Sequence, residues 1–110
     1  MAYLVTKDGG QVYYEHHRGN KLTVVLIHGW GMSSDYWASA IEALQAAGFG
    51  AIAVDHRGCG RSDRDFADLS IEAIAGDVDA PVEKCRPPKV VLNGWSLGAA
   101  IAVAAAGNLG

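Results

Sequence analysis

Cysteine is scarce in this chain. Cys59 and Cys85 are the two present, and they do not belong to a Cys/His set of the kind that holds zinc, so no metal site is expected. Their simplest reading is a pair of reduced thiols in a cytoplasmic protein. Long apolar runs are also missing. The longest near the C-terminus, Ala99 to Ala106, is far too short to cross a bilayer, and no membrane partner is expected. Met1 to Gly10 has no charged start followed by an apolar stretch, which argues against a secretory signal. Basic charge is sparse and scattered: 9 Lys and Arg stand against 12 Asp and Glu, for a net charge of −3. That balance gives no reason to expect nucleic acid as a partner. Gly29-Trp30-Gly31 lacks the Lys and Ser/Thr of a phosphate-binding loop.

What is present is a globular composition, half apolar, over 110 residues, which fits one small domain. Tyr3–Thr6 and Gln11–Glu15 flank Asp8-Gly9-Gly10 and predict a β-hairpin. Thr23–His28, Ala51–Val54 and Lys89–Asn93 are continuous apolar runs of the kind that form strands buried on both faces. Between them lie helical patterns. Trp37, Ile41 and Leu44 keep helical spacing behind the capping candidates Ser33, Ser34 and Asp35, with Gly48 as the stop. Ser70 is expected to cap a second helix with Ile71, Ile74 and Val78 on one face, and Pro81 to kink or end it. Ser96 to Ala106 predicts a third helix, closed by Gly107-Asn108. A hairpin followed by alternating strands and helices predicts an α/β three-layer sandwich with a mostly parallel sheet.

Gly94-Trp95-Ser96-Leu97-Gly98 fits Gly-x-Ser-x-Gly, and it sits where a buried strand should hand over to a helix. A serine on so sharp a turn is lifted above the sheet, and the two glycines remove side chains where strand and helix would pass closely. The helix start then directs free N–H groups at the site. Ser96 is thus the candidate nucleophile. The N–H of Leu97 is one candidate oxyanion donor. The other is the N–H of Trp30, in the loop after the first parallel strand. Trp95 is a candidate wall of the substrate pocket.

Three segments together carry a resemblance. Leu26-Ile-His-Gly-Trp-Gly31, Asp55-His-Arg-Gly-Cys-Gly-Arg-Ser62 and Gly94-Trp-Ser-Leu-Gly98 resemble the signature segments of the α/β-hydrolases, in order and spacing. The pairing of the first and third is similar to the methyl esterases of pimeloyl thioester-carrier conjugates. The middle segment is similar to esterases and cofactor-free haloperoxidases. The resemblance implies a serine hydrolase that acts on small-molecule carboxylic esters through an acyl-enzyme, with no cofactor. Serine rather than Asp at position 96 argues against the dehalogenase and epoxide hydrolase branches.

In such enzymes the order along the chain is Ser, then Asp or Glu, then His. After Ser96 this sequence contains no Asp, Glu or His. Residues 1–110 are therefore expected to be the N-terminal part of a single domain of this fold, lacking the later strands and the acid and histidine, and to be inactive alone. A non-catalytic binding module is the alternative, and a perhydrolase or haloperoxidase-type activity of the full-length parent is another. Lys89–Asn93 would then form an exposed sheet edge open to self-association. His28 is read as a structural support of the oxyanion loop, Asp55 as a loop brace joined by Arg57, Arg61 and Asp63, and His16, His17 and His56 as surface residues.

Overall fold

The computed structural model describes residues 2–6, 9–28, 37–63, 69–85, 90–94 and 97–109, with the side chains of residues 97, 99, 108 and 109 outside that description. The elements run β1 (Ala2–Val5), β2 (Gln11–His17), β3 (Thr23–Ile27), α1 (Ala38–Ala46), β4 (Gly50–Val54), α2 (Ile71–Cys85), β5 (Val90–Gly94) and α3 (Leu97–Leu109). The strands form one sheet in the order β1-β2-β4-β3-β5. β4, β3 and β5 are mutually parallel, and the β1–β2 hairpin joins β4 antiparallel.

The period-two alternation of the strands divides the core between two faces. Val25, Ile27, Ile52 and Val54 face α2 and α3, joined there by Ile74, Val78, Val82, Ile101 and Ala105. Leu26, Ala51 and Ala53 face α1, meeting Ile41 and the partly buried Val24, Trp37 and Leu44. Helices on both faces make the three-layer sandwich expected from the sequence.

Local signals acted where the backbone required them. The hairpin closes through Thr6 N–H to Gly10 O at 2.8 Å and Gly9 N–H to Thr6 O at 3.0 Å, with Gly9 at φ 90°. Gly48, also at φ 90°, ends α1: its N–H bonds Gln45 O at 3.1 Å while Phe49 N–H bonds Leu44 O at 2.9 Å. That pair of bonds satisfies carbonyls a helix end leaves open. Ser70 caps α2 as expected, its Oγ accepting the Ala73 N–H at 3.1 Å. The caps proposed at 33–35 lie outside the described residues.

Three expectations are corrected. Pro81 does not end α2, which continues to Cys85. A mid-helix proline costs about 3 kcal/mol, but burying a Val- or Ile-sized side chain returns about 1.5–3 kcal/mol. Ile74, Val78 and Val82 are all buried on that helix, so packing wins. Ile71 stays 36% exposed rather than joining that face. Gly107 does not close α3. A glycine stops a helix by taking positive φ, as Gly48 does, and Gly107 is not among the described glycines that do so.

β5 is the outer strand of the described sheet, with Val91 46% exposed. Among the described residues no helix is long and apolar enough to cross a membrane.

The segment after β4 is tied to α2 by a buried ion pair. Arg57 Nε donates to Asp77 Oδ2 at 2.7 Å and Nη2 to Asp77 Oδ1 at 2.9 Å. Both side chains are about 5% exposed. Asp77→Ala would remove both of these bonds from a buried guanidinium and should lower stability by about 3–5 kcal/mol. Replacing both, Arg57→Met with Asp77→Leu, should recover most of that loss. Urea unfolding of the three chains checks this.

Candidate active site at the strand ends

The strand order locates a crevice before any side chain is considered. The chain leaves β3 for β4 on one side, then returns across β3 to β5 on the other. Where strand order reverses, an open parallel sheet leaves a crevice outside the carboxyl ends of its strands, and ligands bind there. The residues at those ends are His28 after β3, Asp55 and His56 after β4, and Gly94, Leu97 and Gly98 at the β5–α3 junction.

The junction is short. β5 ends at Gly94 and α3 begins at Leu97, so residues 95 and 96 alone separate strand from helix. Gly94 is held in register with Ile27 of β3. The first turn of α3 then presses against the same end of β3. A Cβ on Gly98 would overlap the Ile27 carbonyl oxygen and lie 2.9 Å from that of His28. Any side chain at 98 would force helix and strand apart, which is the close passage expected from the second glycine of the motif. Of the site residues read from the sequence, Leu97 is the first residue of α3, while Trp30, Trp95 and Ser96 lie outside the described residues.

Beside the junction two histidine rings lie against each other at a tilt of 35°. His28 and His56 are fully buried, their ring centroids 3.9 Å apart. The backbone N–H of His56 donates to His28 Nε2 at 3.0 Å, and the ring Nε2 of His56 meets the His28 carbonyl oxygen at 2.7 Å. Chemistry fixes both tautomers. An amide N–H can only donate, so His28 Nε2 is the bare nitrogen. A carbonyl can only accept, so His56 Nε2 carries the hydrogen. His56 Nδ1 is left buried with no partner among the described residues. Burial is the main force that pushes the His56 pKa down to about 4, with the neighbouring His28 adding to it.

His56 is therefore not the surface residue the sequence suggested. It lies one position beyond Asp55, inside the polar layer that continues the buried β4, and that proximity was the available signal. His16 and His17 are half-buried, with His17 Nε2 3.0 Å from Glu15 Oε1. Asp55 acts as a brace: its Oδ2 accepts the Arg61 N–H at 2.8 Å, and its carbonyl accepts the Ser62 hydroxyl. Asp63 joins by accepting the Gln11 N–H at 2.9 Å. Arg57 also reaches from that loop to α2. Among the described residues no cluster of His, Cys, Asp and Glu could hold a metal ion.

Residues 23–109 match the sequence model of a family described as the alpha/beta hydrolase fold. The chain is similar to a bifunctional esterase/perhydrolase of Acinetobacter calcoaceticus, 34% identical over 89% of this chain and 36% of that protein. It is similar to a pimeloyl-[acyl-carrier protein] methyl ester esterase of Methylococcus capsulatus, 43% identical over 76% of this chain and 30% of the relative. The solved structure of an esterase from Exiguobacterium antarcticum superposes with a TM-score of 0.89 and 29% identity, covering 98% of this chain and 40% of that one. The chain thus spans about a third of the length of the curated relatives it matches.

Two outcomes follow from this geometry. Gly98→Ala should destabilise by about 1–3 kcal/mol through overpacking against β3. Gly107→Ala, in the same helix with nothing within 4 Å of a new Cβ, should stabilise by about 0.5–1 kcal/mol. Urea midpoints of the two variants give the contrast. The depressed pKa of His56 sets the second outcome. Between its ordinary value of 6.5 and about 4, the unfolded chain binds the proton and the folded chain resists it. Stability should therefore be full above pH 6.5 and fall as pH drops toward 4, by up to about 3 kcal/mol. Urea midpoints at pH 7.5 and 4.5 should converge in His56→Gln relative to the parent chain.

Proposed function

The chain belongs to the alpha/beta hydrolase fold family, and on that premise we propose that Ser96 is the nucleophile of a serine hydrolase of small-molecule carboxylic esters. The observation that carries the reading is the junction itself: a strand ending at Gly94, a helix opening at Leu97, and Gly98 seated on the last carbonyls of β3. The names of the relatives, esterases among them, support the same class of substrate.

In this reading Ser96 Oγ attacks the ester carbonyl. The backbone N–H groups of Leu97 and Trp30 stabilise the oxyanion, each contributing about 3–4 kcal/mol in the transition state. Trp95 forms part of the pocket wall. The alcohol leaves, and water releases the acid from the acyl-enzyme. No step calls for a cofactor. Hydrogen peroxide in place of that water would give perhydrolysis. This second reading is favoured by similarity to the esterase/perhydrolase and to a non-heme chloroperoxidase of Kitasatospora aureofaciens, 33% identical over 72% of this chain.

The proton of Ser96 needs a base, and no Asp, Glu or His follows Ser96 in these 110 residues. We therefore read residues 1–110 as the N-terminal part of one hydrolase domain, with no turnover of its own. Loss of the base costs about 10⁶ in turnover, leaving at most about 10³–10⁴ over water from the oxyanion hole and binding. The free edge of β5 is expected to pair with a second copy at high concentration. The free thiols of Cys59 and Cys85 suit the cytoplasmic setting read from the sequence.

The 110-residue chain should hydrolyse p-nitrophenyl acetate no faster than that residual, about 10⁶ below a complete triad. A fluorophosphonate should still label Ser96 slowly, and in preference to every other serine. Added imidazole, standing in for the base, should accelerate that labelling, and Ser96→Ala should abolish it. Peptide mapping of the adduct checks the site. Labelling spread over several serines, or unchanged in Ser96→Ala, would refute the assignment.

A further inference from the structure

We propose that His56 is a positioning residue for the oxyanion loop, holding the His28 carbonyl and so setting the direction in which the chain enters Gly29-Trp30-Gly31. The inference rests on the reading of Trp30 as an oxyanion donor and adds a residue to it.

The argument begins with what the His28 carbonyl touches. On one side the His56 ring donates to it at 2.7 Å. On the other, the α-carbon of Gly98 comes so near that a Cβ there would lie 2.9 Å away. The group is thus held between a side chain following β4 and the first turn of α3, the turn that begins with Leu97. Because a peptide unit is planar, fixing this C=O fixes the plane of the peptide that leaves β3 toward the loop. The peptide leaving this carbonyl leads along the chain toward one proposed donor, and the helix turn that packs on it begins with the other.

His56 is equipped to hold that atom still. Its backbone N–H closes a second bond on the His28 ring, so the two residues grip each other at two points. The rings lie 3.9 Å apart, tilted by 35°, and both residues are fully buried, so close packing opposes a change of rotamer. The price of this arrangement is the solitary Nδ1. An apolar ring would fill the space without burying an unpaired nitrogen. What the imidazole adds over such a ring is the Nε2–H donor aimed at His28.

Two measurements on the unmodified chain test the clamp. The His56 amide nitrogen and His28 Nε2 should share a scalar coupling across their hydrogen bond, and its absence overturns the proposal. The His56 ring Nε2–H and the amides of residues 29–31 should exchange with solvent through one opening of common denaturant dependence. Independent exchange also overturns it. Function is tested by imidazole-assisted phosphonylation of Ser96. His56→Phe, which keeps a ring and removes the donor, should slow labelling by about tenfold to a hundredfold, part of the roughly 10²–10³ that deleting one oxyanion donor costs. His56→Gln, which retains a side-chain N–H, should restore most of that rate. A folded His56→Phe chain that labels at the parent rate overturns the proposal. If Ser96 in the parent chain does not label at all, the serine reading fails, and the two spectroscopic measurements still decide the clamp.

Discussion

The carbonyl of His28 stands where three elements meet. It closes β3, it receives the ring N–H of His56 from the segment after β4, and it leaves no room for a side chain at Gly98 in α3. None of these contacts is strong alone, since a neutral hydrogen bond contributes about 1 kcal/mol net. Their effect is geometric. Two parallel strands and the start of a helix are brought to one point. Interiors are close-packed and resist small displacements. A shift at this carbonyl is therefore transmitted to the start of α3 and to the segment after β4.

The layer around that carbonyl is polar, unlike the core beneath it. Asp55, His56, Arg57 and Ser62 are buried at the carboxyl ends of the strands, whereas β4 below them is built from Ala51, Ile52, Ala53 and Val54. Burying such groups is unfavourable unless each finds a partner. Here the partners come from elements far apart in sequence. Asp55 N–H bonds Tyr13 O at 2.9 Å, Tyr13 N–H bonds Ser62 Oγ at 2.8 Å, and Arg57 binds Asp77 of α2. A polar network of this kind adds little to stability over an apolar one. It does impose one arrangement of β2, the loop and α2, because any other leaves buried charge unpaired.

These observations explain what could be read in the sequence. Gly9, Gly48 and Ser70 acted as expected because a turn, a helix stop and a cap are decided by a few neighbouring residues. The buried runs at 23–27 and 50–54 were legible because a strand covered on both faces has no polar position to disguise it. Pro81, Ile71 and His56 misled for the opposite reason. Whether a proline is tolerated, an isoleucine covered or a histidine buried depends on α3, the sheet and β3, and no local pattern reports those. The motif announced a close approach at Gly98 but not its partner. That the partner is the end of β3 follows from the strand order, in which β3 lies between β4 and β5.

The same geometry bears on which group could serve as a base for Ser96. A histidine acting as general base must take up a proton on a ring nitrogen that can face the nucleophile, with a pKa near the working pH. Nε2 of His28 is occupied in accepting the His56 amide, and a proton there would set two N–H groups against each other. His56 offers no better choice. Its Nε2 already donates to a carbonyl, and burial holds its pKa near 4, so at neutral pH it has little tendency to bind a proton. Both histidines nearest the junction are committed to holding the backbone. If Ser96 is activated by an imidazole, that imidazole has to be one that reaches the strand ends from outside this polar layer.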